Sequence, residues 1–390
     1  MHELIQIIEN SVSRNDLPFA VAMVEDRHGV WWSGAAGEAS PGRAATVDTI
    51  FRAYSMTKAI GSTAAMILMD RGQLDPDATV ESILPEFGDV KLLESLTPQG
   101  AVLRAPAVKA TVRHLASHTA GLGYELWNDA IAAYQSATGA PPISSGLKRS
   151  LFSYPLQFEP GTQWIYGIGI DWLGQIVERI DGRPIDVFCR QEIFEPLGMR
   201  DSYFRRDPAW SDRLAQLKMR AEDGAFVDFE LSPPEEPEFY GAGTALYATP
   251  SDFMRFLRMY LNEGTVDGNR ILGRDTLRAC LKSQTGPVAI EASRSTNPAV
   301  SADLDILPGW RKSHSMAFMR VEEDIPGMRS AGSQTWAGLL NTHFWFDPAS
   351  DVAAVLMTQS VPFIEPRFIK TYEAFERAVY AHVRSQRSPG

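Results

Sequence analysis

The chain is poor in several things a protein of this size can be built around. It has two cysteines in 390 residues, Cys189 and Cys280. Two thiols cannot form a disulfide framework, and neither has a second thiol or a histidine at metal-ligand spacing. The seven histidines are scattered without a His-Glu-x-x-His or related cluster, so no metal and no cofactor is expected. Basic blocks are missing too. With a net charge of −11, the chain offers no surface for nucleic acid or an anionic membrane. No apolar run reaches membrane-spanning length. The start, Met1-His2-Glu3, is acidic where an export signal is basic, and Leu4, Ile5, Ile7, Ile8 and Val12 recur at helical spacing. That pattern predicts an amphipathic helix packed on a domain, and with it a cytoplasmic protein. No internal repeat and no Gly-x-Ser-x-Gly is found, which removes the α/β-hydrolase type of nucleophile.

What remains is ordinary globular composition, 44% hydrophobic and 22% charged, long enough for one large or two closely packed domains. The apolar content is compatible with a homodimer. Phe19 to Glu25 and Val30 to Ala35 read as strands joined by Arg27-His28-Gly29, a hairpin. Thr49 to Ala53 reads as a short extended run. Residues 59–69 carry no charge and read as a buried helix. From there to about residue 280 the signals are mostly helical. Val112 to His118, Asp171 to Ile180 and Ile185 to Ile193 are helices by spacing. Thr249-Pro250-Ser251-Asp252 is a capped helix start leading into residues 253–261. Two proline-rich stretches, 140–146 and 232–237, are surface loops. Residues 283–308 are irregular. Met328 to Gly332, Leu339 to Phe346 and Val352 to Thr358 are β-like, and Arg367 to Arg384 is an amphipathic helix. Strands and a helix at both ends with helices between predict a discontinuous α/β domain, residues 1–70 and 305–390, around a mainly helical part, residues 71–304.

The chemistry centres on Ala53-Tyr54-Ser55-Met56-Thr57-Lys58. If Ser55 opens the buried helix, Lys58 lies one turn along the same face. A lysine at the mouth of so apolar a helix is placed to lose its proton and take one from the serine. The positive end of the helix then favours negative charge developing nearby. A second segment, Phe158-Glu159-Pro160-Gly161-Thr162-Gln163-Trp164-Ile165-Tyr166-Gly167, delivers a phenol just before a helix. Beside a lysine, that phenol is a proton shuttle. A third, residues 331–339, brings small residues to the approach of a strand, where a backbone N–H beyond Gly338 can serve as an oxyanion donor.

Ser55-x-x-Lys58, His118-Thr-Ala-Gly-Leu122, Pro160-Gly161…Trp164…Tyr166 and Trp336-Ala337-Gly338 follow the order and rough spacing of the serine β-lactamase and penicillin-binding-protein superfamily. The chain resembles its class C branch, and within that the family VIII carboxylesterases and related acyltransferases, over nearly its whole length. The resemblance implies an α+β fold with an antiparallel sheet flanked by helices, an all-helical domain, and the active site between them. It implies Ser55 as nucleophile, Lys58 and Tyr166 as general base pair, and the N–H groups of Ser55 and Leu339 as oxyanion hole; His118 is structural. Tyr124, Trp127, Ile168, Trp336, Ala337 and Gly338 are the expected substrate contacts. Two departures are informative. Class C β-lactamases carry asparagine two residues after the tyrosine, where this chain has Ile168. They carry Lys-Thr-Gly where it has Trp336-Ala337-Gly338. Losing an amide and a cation while gaining an indole turns the pocket towards neutral acyl groups. The expected function is therefore a carboxylesterase acting on short-chain or aryl esters, a small-molecule partner. Acyl transfer or D-aminopeptidase and amide hydrolysis with weak β-lactamase activity are the alternatives, and a non-catalytic binding protein a further one.

Overall fold

The structure, a computed structural model, describes residues 2–232 and 234–387. Its centre is an eight-stranded antiparallel sheet. In spatial order the strands are Lys312–His314, Met319–Val321, Gln334–Gly338, Thr342–Asp347, Val352–Met357, Phe19–Asp26, Gly29–Ser40 and Arg43–Ala44. The N-terminal hairpin is thus continued by the C-terminal strands, with Val21 opposite Met357 on one side and Ala35 on the other.

Side chains alternate across a strand, and here both faces are covered. Ala20, Ala22 and Val24 join Ala354 and Leu356 under the helices His2–Ser13 and Pro366–Arg387, with Leu4, Ile8, Phe368, Phe375 and Val379. Phe19, Val21 and Met23 join Ala353, Val355 and Met357 in the larger core on the other face. This explains why the strands read as unbroken apolar runs rather than as alternation. The Pro250–Leu261 helix packs on this second face, Phe253 on Phe344 at 5.0 Å and Tyr260 on Phe346 at 5.0 Å. Its start is as expected: the Thr249 hydroxyl accepts from Asp252 N–H at 3.2 Å and Pro250 stands first.

The Thr57–Asp70 helix lies deeper still, buried from Thr57 through Leu68. A helix apolar all round has no solvent face to present. It is held against the Gly169–Asp181 helix and the 241–243 segment by missing side chains. A Cβ on Gly61 would stand 2.5 Å from the Ala242 carbonyl oxygen, and one on Gly174 2.6 Å from the Ala242 Cβ. No helix among the described residues is long and apolar enough to cross a membrane.

Several expectations are corrected. The stretch read as mostly helical contains three hairpins, Leu92–Thr97 with Gly100–Arg104, Leu217–Arg220 with Phe226–Phe229, and Thr265–Val266 with Asn269–Arg270. Their strands are short and carry a polar, solvent-facing side, so neither period stands out in the sequence. Thr49 to Ala53 contributes only the strand Phe51–Arg52, paired with Tyr247–Ala248 outside the main sheet. Ile185–Cys189 is α-helical, but the next turn, Arg190–Phe194, widens to a π-helix. Met328 to Gly332 is irregular, with Met328 N–H on Ile325 O at 2.9 Å, and joins the strands Met319–Val321 and Gln334–Gly338. Leu339 begins the turn between two strands rather than a strand, with Asn341 in the left-handed region at φ 58°. Pro233 of the second proline-rich loop, and Met1, lie outside the described residues.

Candidate active site

Ser55 is the point at which a buried segment opens. From Thr49 to Leu68 every residue is buried except Ser55, which is half-buried. It sits in a single 3-10 turn, Tyr54–Met56, that leads into the Thr57–Asp70 helix. Tyr54 holds φ at +44°, a conformation that costs a bulky side chain on the order of 1–3 kcal/mol. Its surroundings hold it there. The Tyr54 carbonyl accepts from the Thr57 hydroxyl, and the Tyr54 hydroxyl donates to Leu231 O at 3.2 Å.

Lys58 is 1% exposed, and its ammonium has three donors. All three are used: Gly243 O at 3.0 Å, the Tyr124 hydroxyl at 2.9 Å and Ser55 Oγ at 3.4 Å. The ring of Tyr166 lies beneath the same nitrogen, 4.8 Å to its centroid. The sequence pairs Lys58 with Tyr166; in the structure the hydroxyl bonded to Lys58 is that of Tyr124. The Tyr166 hydroxyl instead accepts from Trp336 Nε1 at 3.4 Å. Burial, reinforced by the Asp171 charge, pushes the Tyr124 phenol well above its ordinary pKa, so it is a neutral phenol at pH 7.

An aromatic box surrounds these groups. The Tyr166 ring lies 5.2 Å from Tyr124, 5.5 Å from Trp127, 4.8 Å from Trp336 and 5.1 Å from His118. His118 is buried at φ +60°, and its carbonyl accepts from Ile165 N–H at 3.0 Å, which fixes the segment carrying Tyr166. Burial, then the charges of His314 and Lys58, hold its imidazole well below its ordinary pKa. Gly167 is required for the same approach, since a Cβ there would stand 1.9 Å from Leu122 O.

Leu339 and Ser55 line one cleft, and Gly338, just before Leu339, has no side chain. A Cβ on Gly338 would lie 2.1 Å from the Ala53 carbonyl oxygen. The small residues of the third motif thus bring strand backbone onto the turn that carries Ser55. Above Ser55 is a cleft of about 100 Å³ lined by Tyr54, Tyr124, Glu125, Leu126, Trp127 and Leu339, with Ile143, Ser144 and Thr244. Of the expected substrate contacts, Tyr124 and Trp127 line it, together with Leu339, expected as an oxyanion donor. Ile168 is fully buried beneath, and Trp336, Ala337 and Gly338 support Tyr166 and the Ala53 turn rather than line the cleft. Ile143 and Ser144 come from the first proline-rich loop, whose sequence marked it only as a loop able to shape a site. Glu125, whose carboxyl burial raises above its ordinary pKa, and Gly243 carry no motif that would have found them. A larger hollow of about 350 Å³ near Arg190, Tyr203 and Trp210 contains none of the predicted site residues. Among the described residues no cluster of histidine, cysteine or carboxylate side chains is arranged to hold a metal.

Matches to known proteins span almost the whole chain. The family model described as Beta-lactamase matches residues 4–378. Esterase EstB of Burkholderia gladioli is 30% identical over 91% of this chain and 89% of its own length. Acyltransferase calJ of Penicillium decumbens is 26% identical over 87% and 82%. Among solved structures, unliganded simvastatin synthase (LovD) from Aspergillus terreus superposes with a TM-score of 0.83 at 25% identity, covering 97% of each chain.

Proposed function

The chain belongs to the beta-lactamase family and is a serine-hydrolase-type enzyme, and we propose that it is a carboxylesterase acting on short-chain or aryl esters through an acyl-Ser55 intermediate. The observation that carries this reading is the half-buried Ser55, which lines the cleft with its hydroxyl 3.4 Å from the nitrogen of the buried Lys58.

In this reading Ser55 Oγ attacks the ester carbonyl carbon while Lys58, as the neutral amine, takes the hydroxyl proton. The carbonyl oxygen becomes an oxyanion held by the N–H groups of Ser55 and Leu339. As the tetrahedral adduct collapses, the bond to the leaving alcohol breaks and the alcohol oxygen receives that proton, through Lys58 and the Tyr166 phenol. Water then repeats the sequence on the acyl-enzyme, releasing the acid and restoring Ser55. The Tyr124 hydroxyl, bonded to Lys58, aims its nitrogen at Ser55.

Polarity supports the substrate class: Leu126, Trp127, Ile143 and Leu339 make the walls of the cleft largely apolar. Trp336 gives its N–H to Tyr166 and leaves no cation for a substrate carboxylate, which speaks against efficient β-lactam turnover.

Acyl transfer to an alcohol is the second reading, favoured by relatives whose names describe them as acyltransferases. Supplying a p-nitrophenyl ester with and without a competing alcohol tests both. Free acid as the main product supports the esterase, and a new ester at the expense of acid supports the transferase. Ester turnover retained in Ser55→Ala would remove Ser55 from the mechanism.

A further inference from the structure

Close to Lys58, across Gly243, lies a carboxyl group that the reaction scheme above leaves unused. Asp171 stands in the first turn of the Gly169–Asp181 helix and is 1% exposed. Its Oδ1 accepts from Gly243 N–H at 3.0 Å, while its Oδ2 is buried without a hydrogen-bond partner. The carbonyl of the same Gly243 accepts from Lys58 Nζ at 3.0 Å. One glycine therefore offers its N–H to the carboxylate and its C=O to the ammonium.

The glycine is also what lets the two approach. A Cβ on Gly243 would sit 2.8 Å from Asp171 Oδ2 and 3.1 Å from Lys58 Nζ. The carboxylate and the ammonium therefore lie within about 6 Å of each other, the range over which opposite charges act strongly on one another's protonation. A carboxylate this deep is strongly disfavoured without a counter-charge. The ionisable groups facing Lys58 are Asp171, Tyr124, Tyr166 and His118, with His314 behind His118. Asp171 is the one acid among them. Burial raises its pKa, and the Lys58 charge opposes that rise.

We propose that Asp171 is a positioning residue for the base, the third member of a Ser55–Lys58–Asp171 line in which its negative charge, set through Gly243, stabilises the ammonium that forms when Lys58 takes the serine proton. The role parallels that of the acid in a serine–histidine–aspartate triad, which orients the base and balances its charge without receiving the proton. The inference rests on the esterase reading of Ser55 and Lys58.

The test is the pH dependence of kcat/KM in Asp171→Asn, in which an amide oxygen still accepts from Gly243 N–H but the charge is gone. With the counter-charge removed, the ammonium formed when Lys58 takes the serine proton is less stabilised. The acid limb of the profile is expected to move down by about one pH unit, and the plateau to fall by roughly 10–100-fold, with KM within about twofold. A limb that stays in place, whatever happens to the plateau, would reduce Asp171 to a structural role and overturn the proposal. The rate of Ser55 labelling by a fluorophosphonate reads the same limb without turnover. If Asp171→Asn does not fold, Asp171→Ser is carried through the same measurement with the same expectation. Labelling of wild-type Ser55 is established first. Its absence would count against the esterase reading itself, whereas normal labelling with an unmoved limb counts only against Asp171.

Discussion

Lys58 Nζ donates to the Tyr124 hydroxyl at 2.9 Å, a tighter contact than either the 3.4 Å to Ser55 Oγ or the ring contact to Tyr166. Two phenols therefore share one buried nitrogen: Tyr124 through its oxygen and a ring 5.0 Å away, Tyr166 through a ring 4.8 Å away. The lysine is held in a fixed direction by Tyr124 and Gly243, and Ser55 occupies the remaining donor.

This arrangement separates the two tyrosines experimentally. Tyr124→Phe removes an acceptor from the lysine but no group from the proton path, so kcat is expected to fall by roughly 10-fold. Tyr166→Phe removes the proposed shuttle, and the expected loss is about 10²–10⁴-fold. Steady-state kinetics on one p-nitrophenyl ester, with circular dichroism to show both variants folded, checks the order. A larger loss in Tyr124→Phe would exchange the two roles.

Gly338→Ala tests the close approach of the strand to the nucleophile's turn. The added methyl meets the Ala53 carbonyl, and the strand end carrying Leu339 must move outward. One oxyanion donor is then misplaced, and kcat is expected to drop about 10²–10³-fold with a smaller change in KM. A variant with normal kcat would show that the Leu339 N–H is not used.

A stability prediction comes from the far side of the sheet. His343 is buried among Phe363, Phe368 and Tyr372, with ring distances of 5.7, 4.6 and 5.0 Å, and its Nε2 has no hydrogen-bond partner. Burial, then the Arg329 charge, lowers its pKa to about 3. The unfolded chain binds a proton at this residue near pH 6.5 and the folded one does not until about 3. Its contribution is therefore fully present above pH 6.5 and is lost as pH falls towards 3. His343→Phe lacks this term, so between pH 6.5 and 4 the melting temperature of the wild type should fall further than that of the variant. Parallel curves would contradict the assignment.

The legible parts of the molecule are those whose contacts are close in sequence. Ser55 and Lys58 are three apart on a helix start, and that spacing alone brings them together. The Thr249 cap and the run of uncharged residues behind Lys58 work in the same way. Asp171 is different. In sequence it is one acid at the start of an amphipathic helix, and its partner Gly243 is 72 residues further on. The left-handed Tyr54 is equally silent, because nothing in a tyrosine announces a strained φ held by Thr57 and Leu231. Tyr124 was legible as a wall of the pocket but not as a ligand of the lysine, since no pattern says which of two phenols turns its oxygen inward. Trp336 was read as facing substrate, and no pattern announced that its N–H donates to the Tyr166 hydroxyl.

In the proposed mechanism Ser55 carries the acyl group. Intact-protein mass spectrometry during turnover of a p-nitrophenyl ester, with released phenol followed in parallel, tests this. A burst of phenol and an acyl adduct mapping to the Ser55 peptide are expected, both absent in Ser55→Ala. Ester turnover without an adduct at Ser55, or an adduct that persists in Ser55→Ala, would contradict it.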